Sequence, residues 1–327
     1  MSVNAEDPVA AMRADVKSAP ALTHSLAFRR EYVRSYIESS SGAPLLLIQA
    51  PPGHGKTTVL SFFAAQEGSS VRWIGLEPSD ASLDALVASF VSAIYGWPIP
   101  APGPVPDVRE AAKWIVGAIQ ELAVTSIILD NYENVAESEG ANSLIEAIAE
   151  KLPAYIRLVV GSEIAPPFLK RARLRQAIVE LDASDLRFDA DDVARYIREV
   201  HNYDVSDEAA SSIARRSGGC ATVINLVGQL CHDLPRYLRI DFEALPLGPT
   251  EEHMTLLLRE VLARSGQPPA RAARELLRGE IGSPGGTTPS DALLELLSDR
   301  HCLVHRHATD PVSLVPHKLL RRMAERL

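Results

Sequence analysis

The stretch LLLIQAPPGHGKTTVL, Leu45 to Leu60, leaves an apolar run, passes through Pro-Pro-Gly-His-Gly, and meets Lys-Thr-Thr before turning hydrophobic again. The first part reads as a buried strand and TTVLSFFAAQ as the helix after it. A phosphate explains the junction. Gly53 and Gly55 can take backbone angles closed to other residues, so successive N–H groups can point inward at phosphate oxygens. Lys56 adds a flexible cation and Thr57 a hydroxyl for Mg²⁺. Thr58 opens the helix, whose positive N-terminal end favours an anion. The pattern is the relaxed phosphate loop, with Ala50 in place of the usual first glycine. The expected nucleotide-binding residues are Pro52, Gly53, His54, Gly55, Lys56, Thr57 and Thr58. His54 is read as the tolerant tip of the loop, not as a catalytic imidazole.

A phosphate loop needs an acid across the sheet for the magnesium shell, and SIILDNYENV, Ser126 to Val135, supplies one. Four strand residues end there in Asp130. An apolar run closed by Asp is a common strand end by itself; after a phosphate loop it reads as the second nucleotide motif, with Thr57 and Asp130 as the expected magnesium ligands. Asn131 follows where many ATPases place a carboxylate to orient the attacking water. Slow hydrolysis is the expectation, with Glu133 as the substitute. Lys56, Asp130 and Glu133 are thus the expected catalytic set.

Working outward, further Val, Ile and Leu runs occur at Val71–Leu76, Leu158–Val160 and Ile178–Leu181, with helical patterns between the earlier ones. Continuously apolar strands alternating with helices imply a parallel sheet covered on both faces. Before them, SLAFRREYVRSYIESS puts Phe28, Tyr32, Tyr36 and Ile37 at helical spacing. The proline-rich GWPIPAPGPVP, Gly96 to Pro106, reads as a loop within this α/β domain. From Asp189 the pattern turns helical, in DADDVARYIREV, SDEAASSIARRS and CATVINLVGQL, each behind a capping or small residue. LPLGPTEEH reads as a linker, and the tail from Asp291 gives helix, strand, turn, strand, helix, the order of a small winged helix. The expected organisation is a mobile N-terminus over 1–21, a P-loop NTPase α/β domain over 22–187, a helical domain over 188–247 and a winged helix over 248–327.

The 327 residues suit two or three domains, and 46% hydrophobic with 23% charged residues is the composition of a folded globular chain. A net charge of −9 argues against a broadly basic nucleic-acid surface. Cys220, Cys231 and Cys302 form no Cys-x-x-Cys pair, which fits a reducing compartment. The acidic N-terminus lacks the features of a secretory signal, and no apolar run approaches the roughly 18 residues that span a bilayer. The expectation is a cytoplasmic protein without a membrane partner.

These residues resemble the nucleotide-binding module of the large ATP-binding LuxR-type transcription regulators, the maltose-activator group of the signal-transducing (STAND) P-loop NTPases. LIQAPPGHGKTTVLSFFAA is similar to that family's phosphate loop (Walker A), VRWIGLEPSDASLDALVASFVSAI to its second strand and helix, and IILDNYENV to its Walker B segment. The Asp-Leu-Arg-Phe of Asp185 to Phe188 falls where the family carries it, and LVPHKLLRRMAERL resembles the end of its winged helix. The resemblance spans about Leu22 to Leu327. It implies ATP with Mg²⁺ as cofactors and a nucleotide-controlled conformational switch working through self-association or a protein partner. Sensor repeats and the family's DNA-binding helix-turn-helix are not seen in the sequence, so the reading is a fragment of a larger regulator or a short variant. Two positions depart from the family: Ser162-Glu163 stands where Ser-Arg is frequent, leaving Arg171, Arg173 or Arg175 as substitutes, and Gly219-Cys220-Ala221 stands where Gly-Trp-Pro is found.

Other signals carry less. HCLVHRH, with His301, Cys302, His305 and His307, lacks the second distant pair a metal site needs. Arg306, Lys318, Arg321, Arg322 and Arg326 accompany the winged helix, but Asp310 and Glu325 dilute them, and the resemblance implies packing within the molecule; the expectation is against DNA binding by this chain. Two further functions stay open on sequence: an AAA-type ATPase acting on nucleic acid, and an interaction module that binds nucleotide without hydrolysing it.

Overall fold

A computed structural model describes residues 31–39, 42–96, 107–174, 177–232, 240–264, 304–306, 314–316, 322–323 and 325–326. They pack as two compact units. One takes Ser35–Pro51 and Val59–Asp182; the other takes Pro52–Thr58 and the residues from Ala183 onward.

The first unit takes helix α1 (Glu31–Ser39) from Ser35 onward, strand β1 (Leu45–Gln49), and helix α2 (Lys56–Glu67) from Val59 onward. Then come β2 (Val71–Gly75), α3 (Leu83–Tyr95), α4 (Val108–Glu121), β3 (Ser126–Asp130), α5 (Glu139–Lys151), β4 (Arg157–Ser162), α6 (Leu169–Leu174) and β5 (Ile178–Leu181). The strands form one parallel sheet in the order β2-β3-β4-β1-β5. This is the parallel sheet with helices that the apolar runs predict. Its order could not be read from them: β4, not β3, lies beside β1.

Both faces of β1 are shielded, with Leu46, Leu47 and Ile48 fully buried. One face packs Leu47, Ile127, Leu129, Leu158 and Val160 against Phe90, Ile115, Ile119, Leu144 and Ile148 of the helices. Local chemistry starts the helices where the sheet needs them. The Ser82, Asp107 and Ser138 side chains accept first-turn N–H groups of α3, α4 and α5, and Gly96 ends α3 in the left-handed region.

The second unit is helical: α7 (Ala190–His201), α8 (Asp207–Ser217), α9 (Ala221–His232) and α10 (Glu251–Arg264). Asp189 and Ser206 cap α7 and α8; Asn202 and Gly218 end them. The stretch read as a linker proves shorter, since helix begins at Glu251. Met254, Leu257 and Leu258 of α10 share one core with Val193, Ile197, Ile213, Val223 and Val227, and Met323 joins it. In the tail, β6 (Val304–Arg306) and β7 (Leu314–Pro316) pair antiparallel. The helices expected around this pair lie largely outside the described residues, as do the first 30 residues and most of the proline-rich loop. No helix among the described residues is long and apolar enough to cross a membrane.

Candidate functional site

The strand ends decide where chemistry can happen. Because all five strands are parallel, β1 and β3 finish at the same edge of the sheet. In doubly wound sheets that carboxyl edge is where ligands bind. The Ala50 N–H continues the ladder to the Ser162 carbonyl at 3.1 Å. The chain then turns through Pro52–Gly55 into α2, which begins at Lys56. Gly53 and Gly55 sit at φ +79° and +84°, the left-handed region that the sequence motif requires of them. Residues of this kind in close succession let neighbouring N–H groups converge on one point. His54 and Lys56 are buried, and His54 Nδ1 lies 3.2 Å from the Pro52 carbonyl.

Asp130 closes β3 and is buried at the same edge. Its Oδ1 accepts the Asn131 N–H at 3.0 Å, and its backbone carbonyl accepts the Leu76 N–H at 2.9 Å. The carboxylate lies against β4 at Gly161: a Cβ added there would stand 3.0 Å from Asp130 Oδ1 and 2.6 Å from Leu60 Cδ1. A bare glycine therefore lets α2 and the acid both approach the strand between β1 and β3. The sequence signal was present, since an isolated glycine in the apolar run LVVGS marks close approach.

Asn131 has φ +59° and ψ +43°. Among side-chain-bearing residues, asparagine best tolerates that turn, so its presence has a conformational reason beside the lost carboxylate. Glu133 sits in the short turn after it, and its Oε2 accepts the Glu163 N–H at 3.2 Å. The acid expected to assist hydrolysis is thereby tied to the end of β4. Tyr132 is buried between, donating to the Asn142 side-chain oxygen, with burial pushing its phenol well above the usual range.

The basic cluster after β4 divides. Arg173 makes two hydrogen bonds to Glu180, at 2.7 and 2.6 Å, and these hold its guanidinium above its usual pKa. Its fork is thus occupied by a carboxylate of β5. The Arg171 side chain and Arg175 lie outside the described residues, as do the side chains of His301 to His307. Among the described residues no group of three His, Cys, Asp or Glu side chains is arranged to hold a metal. Of the C-terminal bases, Arg322 and Arg326 both pair with Glu251, the latter at 2.9 Å.

Within the second unit the Gly53 carbonyl accepts the Thr222 N–H at 2.9 Å and the Cys220 thiol at 3.3 Å. This contact was not legible in the sequence, for nothing in Gly-Cys-Ala-Thr marks it as a partner of a loop 167 residues earlier.

No family model and no curated protein matches the sequence. Solved structures do match in shape. A STAND protein with a tetratricopeptide-repeat sensor from Pyrococcus horikoshii aligns with TM-score 0.52 and 11% identity over 89% of this chain and 41% of that one. Looser likenesses include domain III of the replication initiation protein DnaA from Thermotoga maritima, at TM-score 0.41 and 16% identity over 78% of this chain and 97% of that one. Another is a RuvB mutant from Thermotoga maritima, at 0.37 and 16% over 91% and 95%. The likeness to the STAND protein establishes the fold, a P-loop NTPase sheet with helices; the chain spans less than half of that protein's length.

Proposed function

We propose that the chain is an ATP-binding NTPase module that works as a nucleotide-controlled switch with slow hydrolysis, in a regulator of the LuxR type. The observation that carries the reading is the pair of left-handed glycines on either side of His54, placed between β1 and the first residue of α2. Backbone N–H groups from this turn and the Lys56 ammonium match the charge and geometry of a triphosphate. Thr57 and Asp130 are the residues we assign to Mg²⁺, a hydroxyl and a carboxylate being the hard oxygen donors that ion takes. When bound, the ion would neutralise charge on the phosphate oxygens.

Slow turnover follows from Asn131 and from Glu133, whose carboxylate already accepts a backbone N–H. The role as a switch and the regulator context rest on the motif resemblance. ATP can shift such a module only by its differential affinity for the two conformations. Self-association or a protein partner would read the shift.

Calorimetric titration of the whole chain with ATP and Mg²⁺ tests the site. Losing one charge-assisted contact makes Lys56→Ala bind about tenfold or more weakly. Unchanged affinity in that variant removes the assignment.

A further inference from the structure

The peptide between Gly53 and His54 has its carbonyl held from outside the loop. Thr222 N and Cys220 Sγ lie 2.9 and 3.3 Å from Gly53 O. Cys220 is fully buried, directly before the first residue of α9. Desolvation pushes its thiol up to about 11, against the opposing pull of the Val223 and Thr222 N–H groups and of Lys56, so the sulfur keeps its proton and can donate. There is no slack on this side. A Cβ at Gly53 would stand 3.1 Å from Thr222 Oγ1 and 3.2 Å from Cys220 Sγ.

A trans peptide points its N–H opposite to its carbonyl, and no cis bond occurs among the described residues. Fixing the Gly53 oxygen toward α9 therefore aims the His54 N–H the other way, away from α9. Gly53, on one side of this peptide, carries no side chain to restrict its ψ and would otherwise ease a flip. Two donors on one oxygen remove that freedom before any ligand arrives.

We propose that Cys220 and Thr222 are positioning residues for the phosphate loop: by gripping the Gly53 carbonyl they pre-orient the His54 N–H as a phosphate donor. The inference rests on the nucleotide reading above and adds a specific claim to it. The departure at Gly219-Cys220-Ala221 is then a substitution with a job, a sulfur donor at the loop.

The test has two arms on the full chain. In titrations with ATP and Mg²⁺, Cys220→Ala weakens affinity about three- to tenfold, the worth of one neutral hydrogen bond. Cys220→Ser, which keeps a donor, restores it to within about twofold. Alanine and serine behaving alike overturns the role of the thiol. Without any nucleotide, amide hydrogen exchange reads the grip directly: Thr222 lies in the first turn of α9, where N–H groups lack helical partners, yet it exchanges slowly. Exchange as fast as an unprotected first-turn amide overturns the proposal, even if Cys220→Ala does not fold. If Lys56→Ala leaves ATP binding intact while Thr222 is protected, the nucleotide reading fails and the grip on Gly53 stands; if Lys56→Ala loses binding and Cys220→Ala does not, only the positioning claim fails.

Discussion

Gly161 shows how much one missing methyl group allows. Its place in β4 faces both Leu60 of α2 and the Asp130 carboxylate, at separations no real Cβ would tolerate on the Leu60 side. Gly161→Ala forces the fully buried Leu60 side chain, α2 or the acid to shift. Overpacking of this kind costs about 1–3 kcal/mol, so urea unfolding should show that loss together with weaker Mg²⁺-dependent binding of ATP. A variant of wild-type stability would mean that Leu60 moves aside without cost. The turn between β1 and α2 was legible because its geometry is local: Gly53 and Gly55 take left-handed backbone angles that glycine alone adopts freely. The partner of Glu133, the Glu163 N–H, was hidden because a backbone donor leaves no trace in residue type. Arg173 offers the opposite lesson. The resemblance made it one substitute for the arginine that Glu163 displaces, and only the packing of β5 shows that Glu180 occupies it.

At the scale of elements, the helix starts carry distinct loads. Ser206 accepts the Ala209 N–H and its hydroxyl also bonds the Glu208 carboxylate, both at an exposed site. Ser138 accepts from Ala141 and also donates to the Ala81 carbonyl at 2.6 Å, so it joins two segments of the sheet unit. Ser206→Ala should therefore cost about 1 kcal/mol, the ordinary value of a cap, and Ser138→Ala about 2 kcal/mol, since the second bond lost there is partly buried and holds a distant segment. Chemical denaturation of the two variants checks the order; equal losses would show that the Ala81 bond contributes nothing. The three central strands were visible as apolar runs because strands buried on both faces leave an uninterrupted signal, and the partly buried edge strands β2 and β5 kept enough Val, Ile and Leu to be seen. Their order was not, because pairing is decided by side chains far apart in the chain. The start of α10 was missed for a different reason: Gly248 and Pro249 just before Glu251 read as linker, while the helical face of Met254, Leu257 and Leu258 is filled by α9 and its neighbours.

For the whole molecule, charge is the clearest guide. The chain carries −9, and two of its C-terminal arginines, Arg322 and Arg326, converge on Glu251. Arginines already paired with a carboxylate have less to offer a DNA phosphate, even where, as here, they stay partly exposed. Fluorescence anisotropy with a labelled duplex at about 0.15 M salt should show no binding in the micromolar range, where non-specific DNA-binding proteins already associate. Saturable binding there would favour the nucleic-acid ATPase over the switch.

The placement of β1 also has a consequence for the chain as it is made. Its two sheet neighbours, β4 and β5, pair with it through Leu158 and Ile178, both more than a hundred residues downstream of Leu45. A ribosome that has released β1, β2 and β3 has delivered the phosphate loop without either flank of the strand that supports it. Such long-range pairing is slow, because the loop between partners must close before contact repays it. The nascent chain thus carries its most apolar strand unpaired until synthesis passes residue 162, and open along one edge until it passes residue 181, a window in which chaperones, more than the protein's own early helices, would keep it from aggregating.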